Sequence, residues 1–255
     1  MSFNFQYISV TKKTAERFWE IDFLRGIAVI GMIIFHGLYD LNYFNIYKLE
    51  LYSGFLLLLA YSIGSIFILL VGMSLTLSYA KARKTMTGYT VKVKYLKRGV
   101  MIFGLGLLIT LATWLYLDEG FIVFGVLHCI GISIILAYPF LHFRFLNLIG
   151  GIICIVVGIL LKPLTFEFYW LVWLGFRPSH FYSVDYYPLL PWLGVVLLGI
   201  FIGNLLYPNY KRIFKLQDLS RFRCIRSLAF LGRHSLIVYF LHQPILIGII
   251  CLFLL

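Results

Sequence analysis

The chain has 255 residues, of which 62% are hydrophobic and only 13% are charged. Soluble globular domains are about 45–50% apolar and about 25% charged. A soluble protein of this composition would expose large apolar patches, and a disordered chain would need much lower hydrophobicity. The composition therefore excludes both classes and indicates an all-α, polytopic membrane helical bundle.

The formal net charge of +12 would suggest nucleic-acid binding in a soluble protein. In a membrane protein, Lys and Arg instead collect in the cytoplasmic loops. We therefore attribute the excess charge to topology and expect no nucleic-acid partner. Four cysteines lie without metal-type spacing, and we expect no metal cofactor; they are Cys129, Cys154, Cys224 and Cys251.

Apolar runs of about 20 residues predict seven membrane helices within a single domain over residues 1–255. The predicted helices are 21–43, 54–80, 97–116, 121–140, 144–161, 186–207 and 230–253. The connection 162–185 is aromatic rather than polar, which suits an interfacial or re-entrant segment. Gly199 and Gly203 have small-xxx-small spacing, which predicts close helix packing.

The basic residues are divided unequally between the two sides of these helices. With the N-terminus inside, 19 of the 22 Lys and Arg residues fall on the inner side, and only Lys48, Lys162 and Arg177 fall outside. Because positive charge is retained in the cytoplasm, this division predicts an N-in, C-out chain with an odd number of spans.

The first predicted helix contains Asp22, Arg25, His36 and Asp40, and the last three share one stripe. Arg25 and His36 are 11 residues apart, so they lie within about 20° of one face and about 16 Å apart along the axis. Asp40 follows one turn after His36, within reach of its ring. A carboxylate beside an imidazole builds a general base. The stripe predicts a catalytic His36–Asp40 pair, whereas the alternative is an ion pair or cap at each helix end.

Two further histidines lie inside apolar runs, His128 in the fourth predicted helix and His242 in the seventh. Each alone could hydrogen-bond a neighbouring helix in a structural role. Three histidines at intermediate depth in three helices favour a shared polar cavity with His36.

Two basic clusters, 81–98 and 211–226, lie on the predicted inner side. They are typical of positive-inside topology with binding to anionic membrane lipids. The alternative is a landing surface for a polyanionic cytosolic cofactor. The chain contains no glycine-rich loop of the nucleotide-hydrolysing or dinucleotide-binding type.

Four stretches, in order along the chain, resemble the catalytic domain of heparan-α-glucosaminide N-acetyltransferase and its small prokaryotic relatives. The stretches are 20–28 (EIDFLRGIA), 125–131 (GVLHCIG), 185–194 (DYYPLLPWLG) and 231–242 (LGRHSLIVYFLH). The spacing of Arg25 and His36 also resembles the wider superfamily of transmembrane acyltransferases, where this pair is linked to acyl-CoA use and catalysis.

The resemblance implies a cytosolic acetyl-CoA donor and an extracytoplasmic sugar amine or hydroxyl as acceptor, in the cytoplasmic membrane of a prokaryote. The family places its catalytic histidine after the first helix, but residues 41–54 contain none, so the role passes to His36. Arg25, His128 and His242 are then expected to bind the donor. Asp185 and Trp192 are expected to bind the acceptor, and homo-oligomerisation stays open.

The competing hypothesis is a small proton-coupled transporter, because intramembrane His, Arg and Asp also suit proton relays. Against it, the sequence contains no internal repeat, and seven helices do not divide into two equal halves.

Overall fold

The structure is a computed structural model that describes residues 17–51 and 53–254. Over these ranges the chain is helical, and its eight α-helices carry the fold. They are α1 (Trp19–Tyr43), α2 (Gly54–Ala82), α3 (Gly88–Tyr116), α4 (Val126–Ala137), α5 (Phe145–Leu161), α6 (Leu189–Leu206), α7 (Arg223–Arg233) and α8 (Ser235–Phe253). Three single-turn 3-10 helices lie between them, at Tyr138–Phe140, Val172–Leu174 and Pro208–Tyr210.

Five of these helices are long and apolar enough to cross a membrane: α1, α2, α3, α6 and α8. Two shorter apolar helices, Val126–Phe140 and Phe145–Leu161, lie between α3 and α6. The predicted all-α polytopic membrane bundle is therefore confirmed. The predicted number of seven spans requires the two shorter helices to cross as well, and that number stays a prediction.

α3 begins at Gly88 rather than at residue 97, so the basic stretch 92–98 is helical. The Thr87 hydroxyl caps the helix by accepting a hydrogen bond from the backbone N–H of Thr90. Val91 and Tyr95 are buried on one face of this added part. The prediction was wrong here because it ended the helix where the apolar run ends, although two buried residues anchor a further two turns.

The last predicted helix, 230–253, is two helices in the structure, α7 and α8, which meet at His234. α7 is amphipathic: Ala229 and Gly232 are buried, whereas Arg226 and Phe230 are exposed. α7 packs its buried face on α1, where a Cβ on Gly232 would collide with the Asp22 carbonyl oxygen. Because one face of α7 is polar, the helix contains no continuous apolar run, and the apolar pattern of the sequence did not predict it.

α4 begins at Val126 rather than at residue 121 because the residues before it pair with the chain that leads into α6. The N–H of Val184 donates to the Gly120 carbonyl at 2.9 Å, and that of Tyr187 donates to the Phe124 carbonyl at 2.9 Å. The backbone groups of this segment are satisfied by these bonds rather than by a helix.

The glycines of α6 bring it against α2. A Cβ on Gly199 would collide with the Leu69 carbonyl of α2, and one on Gly203 would lie 2.9 Å from the Thr76 hydroxyl. Thr76 also donates across this contact to the Ile200 carbonyl at 3.4 Å. The predicted packing role of the Gly199–Gly203 pair is confirmed.

The connection between α5 and α6 is a folded, aromatic cap at the end of the bundle where α1 ends and α8 ends. The Phe166 N–H donates to the Arg177 carbonyl at 3.0 Å, and the Phe166 and Phe176 rings lie 4.9 Å apart. Trp170 is 71% exposed. Placement of this cap at a membrane interface stays a prediction.

The opposite end of the bundle carries most of the positive charge, and we call it the basic end. There α1 begins, α2 ends, α3 begins and α7 lies on α1. The charge division predicts that the basic end faces the cytoplasm.

Cysteine labelling tests this orientation. Ser179 lies in the aromatic cap and Thr87 at the basic end, and both are exposed. In a variant without the four native cysteines, we expect an impermeant thiol reagent added outside intact cells to modify Ser179→Cys and to spare Thr87→Cys. Labelling of Thr87→Cys but not of Ser179→Cys would contradict the predicted orientation.

Candidate functional site

His36 of α1 and His242 of α8 are joined by a hydrogen bond. The His36 Nδ1 and His242 Nε2 atoms lie 2.7 Å apart, and the ring centroids are 4.9 Å apart in a stacked arrangement. His242 is 7% exposed, whereas His36 is only part-buried. The sequence predicted that both would line one cavity, and the structure brings them into direct contact.

A backbone carbonyl assigns the protons of this pair. The other nitrogen of His242, Nδ1, lies 2.7 Å from the Tyr239 carbonyl oxygen, which can only accept. Neutral His242 therefore carries its proton on Nδ1 and accepts at Nε2 the proton that His36 carries on Nδ1. This network leaves the Nε2 atom of neutral His36 with a lone pair, which is the requirement for a base.

Asp40 does not contact His36 as predicted. Its Oδ1 accepts a hydrogen bond of 2.7 Å from the Nε2 of Gln243, and its side chain is buried. The predicted direct pair was wrong because His36 turns to His242 on α8. The next residue of α8, Gln243, takes the carboxylate of Asp40 instead.

Gln243 is a site residue that the sequence reasoning missed. It follows His242, the partner of His36, on α8 and binds Asp40, so it lies close to both members of the predicted pair. Its Oε1 is buried and has no hydrogen-bond partner among residues 17–51 and 53–254. An amide inside the apolar run of the last helix was the available signal, because polar groups in membrane spans are costly.

Arg25 joins three helices at the basic end. Its Nη1 donates to Asp22 Oδ1 at 3.2 Å and to the Gly232 carbonyl of α7 at 3.5 Å. Its Nη2 donates to the Ser74 hydroxyl of α2. Arg25 is therefore held in place before any ligand binds.

Positive charge exceeds negative charge around Arg25. Asp22 interacts electrostatically with Arg25 and also with Arg17 and Arg233, and Arg25 is further repelled by Arg98. One carboxylate thus lies among four arginines, which we call the arginine cluster: Arg17, Arg25, Arg98 and Arg233. Such an excess can bind a phosphate, for which arginine is well suited.

The two parts of the site lie on one helix at different depths. The 11-residue separation of Arg25 and His36 corresponds to a rise of about 16 Å along α1. The cationic end of the helix and the basic nitrogen are therefore separated along α1, and their predicted roles toward a donor stay predictions.

His128 lies apart from this pair. Its Nδ1 accepts from the Gly125 N–H at 3.2 Å at the start of α4, and its Nε2 lies 3.4 Å from the Thr110 hydroxyl of α3. The ring is 2% exposed. Nδ1 thus closes the start of its own helix and Nε2 contacts α3, and the predicted donor-binding role of His128 stays a prediction.

Asp185 supports the histidine pair from outside the helices. Its Oδ2 accepts from the Val126 N–H at 3.2 Å and from the Tyr239 hydroxyl at 3.4 Å. Burial raises the pKa of the Asp185 carboxyl to about 6, although both hydrogen bonds oppose this shift. Because Tyr239 also supplies the carbonyl that binds His242, Asp185 fixes the part of α8 that orients the pair.

Trp192 packs in the core of the bundle. It is 7% exposed, and its ring lies 4.7 Å from that of Tyr187 and 6.4 Å from that of Tyr61. The predicted acceptor-binding roles of Trp192 and Asp185 stay predictions.

The sequence profile of the heparan-alpha-glucosaminide N-acetyltransferase catalytic family matches residues 17–244. The match contains Arg25, His36, Asp40, His242 and Gln243. No curated protein and no solved structure matches the chain. Because the match covers most of the chain, the protein belongs to the heparan-alpha-glucosaminide N-acetyltransferase catalytic family, a family of acetyltransferases.

Proposed function

We propose that the protein transfers an acetyl group from acetyl-CoA, bound from the basic end, to an amine or hydroxyl of a sugar-like acceptor at the other side of the membrane. The family match supports acetyl transfer. The geometry supports the direction, because the arginine cluster and the histidine pair lie at different depths of α1.

The donor enters between the basic groups of α1, α2 and α7. Arg25 is anchored by Asp22, Ser74 and Gly232, so its orientation requires no reorganisation when a phosphate binds. The pantetheine arm then follows α1 and carries the thioester toward His36.

His36 acts as general base at the thioester. Its Nε2 takes the proton of the acceptor N–H or O–H as that nitrogen or oxygen attacks the thioester carbonyl carbon. The bond to sulfur then breaks, and the leaving thiolate of CoA takes the proton from the His36 imidazolium. The products are the acetylated acceptor and free CoA, and His36 returns to its neutral form.

Gln243 and His242 stabilise His36 when it is charged. The imidazolium carries N–H groups at both nitrogens, and His242 Nε2 accepts from Nδ1. Gln243 Oε1 is available to accept from the N–H on His36 Nε2. The amide of Gln243 cannot rotate without losing the bond that its nitrogen donates to Asp40 at 2.7 Å. Asp40 therefore acts through Gln243.

The single observation that carries this proposal is the hydrogen-bonded series from the Tyr239 carbonyl through His242 to His36. It leaves one nitrogen of His36 basic, on the same helix as the arginine that faces the donor.

The direct test uses purified protein in liposomes, acetyl-CoA with a labelled acetyl group, and glucosamine as acceptor. We expect labelled N-acetylglucosamine and free CoA in equal amounts, with the donor supplied at the basic-end side. A transporter would leave the thioester intact, and that outcome would refute the proposal.

The role of Gln243 gives a separate prediction. We expect Gln243→Leu to lower kcat about tenfold or more, because a hydrogen bond to a charged group is lost. KM for acetyl-CoA should stay unchanged, because Gln243 acts on His36, which lies about 16 Å from Arg25 along α1.

Leu241→Ala is the matched control, since Leu241 lies two residues away on α8 and is 53% exposed. Equal kcat losses in both variants, accompanied by equal falls in Tm, would show that Gln243 serves only the packing of α8.

A further inference from the structure

A cavity of about 530 Å³ lies at the basic end, away from His36 and His242. It opens between the end of α2, the start of α3 and the 3-10 helix after α4. Its lining consists of Tyr79, Arg83, Met86, Gly88, Val91, Tyr138 and His142. Its volume is within the range of small-molecule sites, about 300–1,000 Å³.

The cavity is cationic and lacks a compensating carboxylate. The Arg83 guanidinium lies 5.7 Å from the Tyr79 ring centre and forms no ion pair with any described residue. His142 also lines the cavity, from the turn before α5. The sequence between Glu50 and Asp118 contains no acidic residue. The lining therefore favours an anion.

The first turn of α3 adds backbone donors to the same cavity. Gly88 is the first residue of this 29-residue helix and lines the cavity. A Cβ at Gly88 would meet no atom within 4 Å, so its backbone is open to a ligand. The N–H groups at a helix start bind phosphate well because they have no partner within the helix.

Two tyrosine rings form part of the cavity wall. The Tyr79 and Tyr138 rings lie 6.3 Å apart at 85°, and both contact the buried ring of Tyr95. A wall of this kind can pack against a planar base. Together with the cations, it fits a ligand with both a phosphate and an aromatic ring.

The cavity and the arginine cluster both lie at the basic end of the bundle. Tyr95 packs against the lining residues Tyr79 and Tyr138. It also interacts with Arg98, which in turn interacts with Arg25. A donor whose nucleotide occupies the cavity therefore has further arginines at the same end of the bundle.

We infer that this cavity binds the nucleotide end of the acyl donor, with the base against Tyr79 and Tyr138 and a phosphate on Arg83 and the start of α3. The inference rests on the proposed function for the identity of the donor. The ligand of the cavity is then a phosphorylated nucleoside. Residues of the cavity contribute to affinity for the donor, whereas His36 contributes to the transfer reaction.

The test measures binding of adenosine 3′,5′-bisphosphate, which carries the nucleotide but no thioester, to purified protein by calorimetry. We expect Arg83→Ala to weaken this binding about tenfold, since a charge-assisted contact to phosphate is lost. Arg221→Ala is the matched control, because Arg221 is exposed at the same end and lies outside the cavity lining. We expect it to change the affinity less than about twofold. Transfer from S-acetylpantetheine, which lacks the nucleotide, should be equal in both variants.

Two outcomes would overturn this inference, and a third would refute only the proposed function. Equal nucleotide affinity in Arg83→Ala and wild type would overturn the inference even if acetyl transfer proceeds. The second outcome is that phosphatidylglycerol vesicles displace the nucleotide while Arg83→Ala leaves nucleotide affinity unchanged. That result would assign the cavity to lipid headgroups and would also overturn the inference. A wild type that binds the nucleotide through Arg83 yet transfers no acetyl group would refute the proposed function and leave the cavity assignment standing.

Discussion

Replacement of His36 by alanine is expected to lower acetyl transfer about 10²–10⁴-fold, the usual contribution of a positioned acid or base. Binding of acetyl-CoA should persist, because the arginine cluster lies about 16 Å away along α1. The measurement is kcat for transfer to glucosamine, together with the shift in Tm that acetyl-CoA produces in each variant.

His180→Ala is the matched control for this variant. His180 is exposed in the aromatic cap, far along the chain from α1 and α8. A purely structural His36 would give a different result. The variant would melt early, losing about 1–2 kcal/mol for one interhelical hydrogen bond, and would transfer at the wild-type rate per folded molecule.

Replacement of Arg25 by alanine is expected to weaken acetyl-CoA binding about tenfold or more. A hydrogen bond to a charged group contributes about 1.5–3 kcal/mol, and 1.4 kcal/mol corresponds to a factor of ten in affinity. The measurement is calorimetric titration with acetyl-CoA. Once the donor is saturating, the rate should recover toward wild type, because His36 is intact.

Arg25 also joins α1 to α2 and α7, so folding must be followed in parallel. Arg223→Ala serves as control, because Arg223 is exposed on α7 at the same end. If Arg25→Ala binds acetyl-CoA as tightly as wild type, Arg25 has no part in the donor site. A lower Tm with unchanged affinity would identify it as a structural link between helices.

The apolar pattern of the sequence predicted the membrane bundle well where a helix and an apolar run coincide. α1 and α2 begin and end within two residues of the prediction. The pattern failed where a helix continues beyond the apolar run, as in α3 before residue 97, and where a helix is polar on one side, as in α7. The start of α3 and the whole of α7 are stabilised by packing on a neighbouring helix. A continuous apolar run is not needed for such packing, so its absence did not exclude a helix there.

The candidate site divides in the same way. The spacing along one helix placed Arg25 and His36 at different depths, because the rise of a helix is fixed. It could not identify partners on another helix. Asp40 is one turn from His36, yet each of them hydrogen-bonds a residue of α8 instead of the other. The rotation of α8 relative to α1 depends on the packing of the whole bundle.

The bond between His36 and His242 joins residues separated by 206 positions in the sequence. α1 enters the membrane early in synthesis, whereas α8 is the last helix that the structure describes. During translation, His36 therefore lacks the partner that assigns its proton until nearly every other helix has been inserted. A nascent or truncated chain without α8 would contain all of its arginine cluster, which precedes Ser235, but its base would be unoriented. Catalytic competence should thus arise in a single late step of biogenesis, so partly inserted chains would not consume acetyl-CoA.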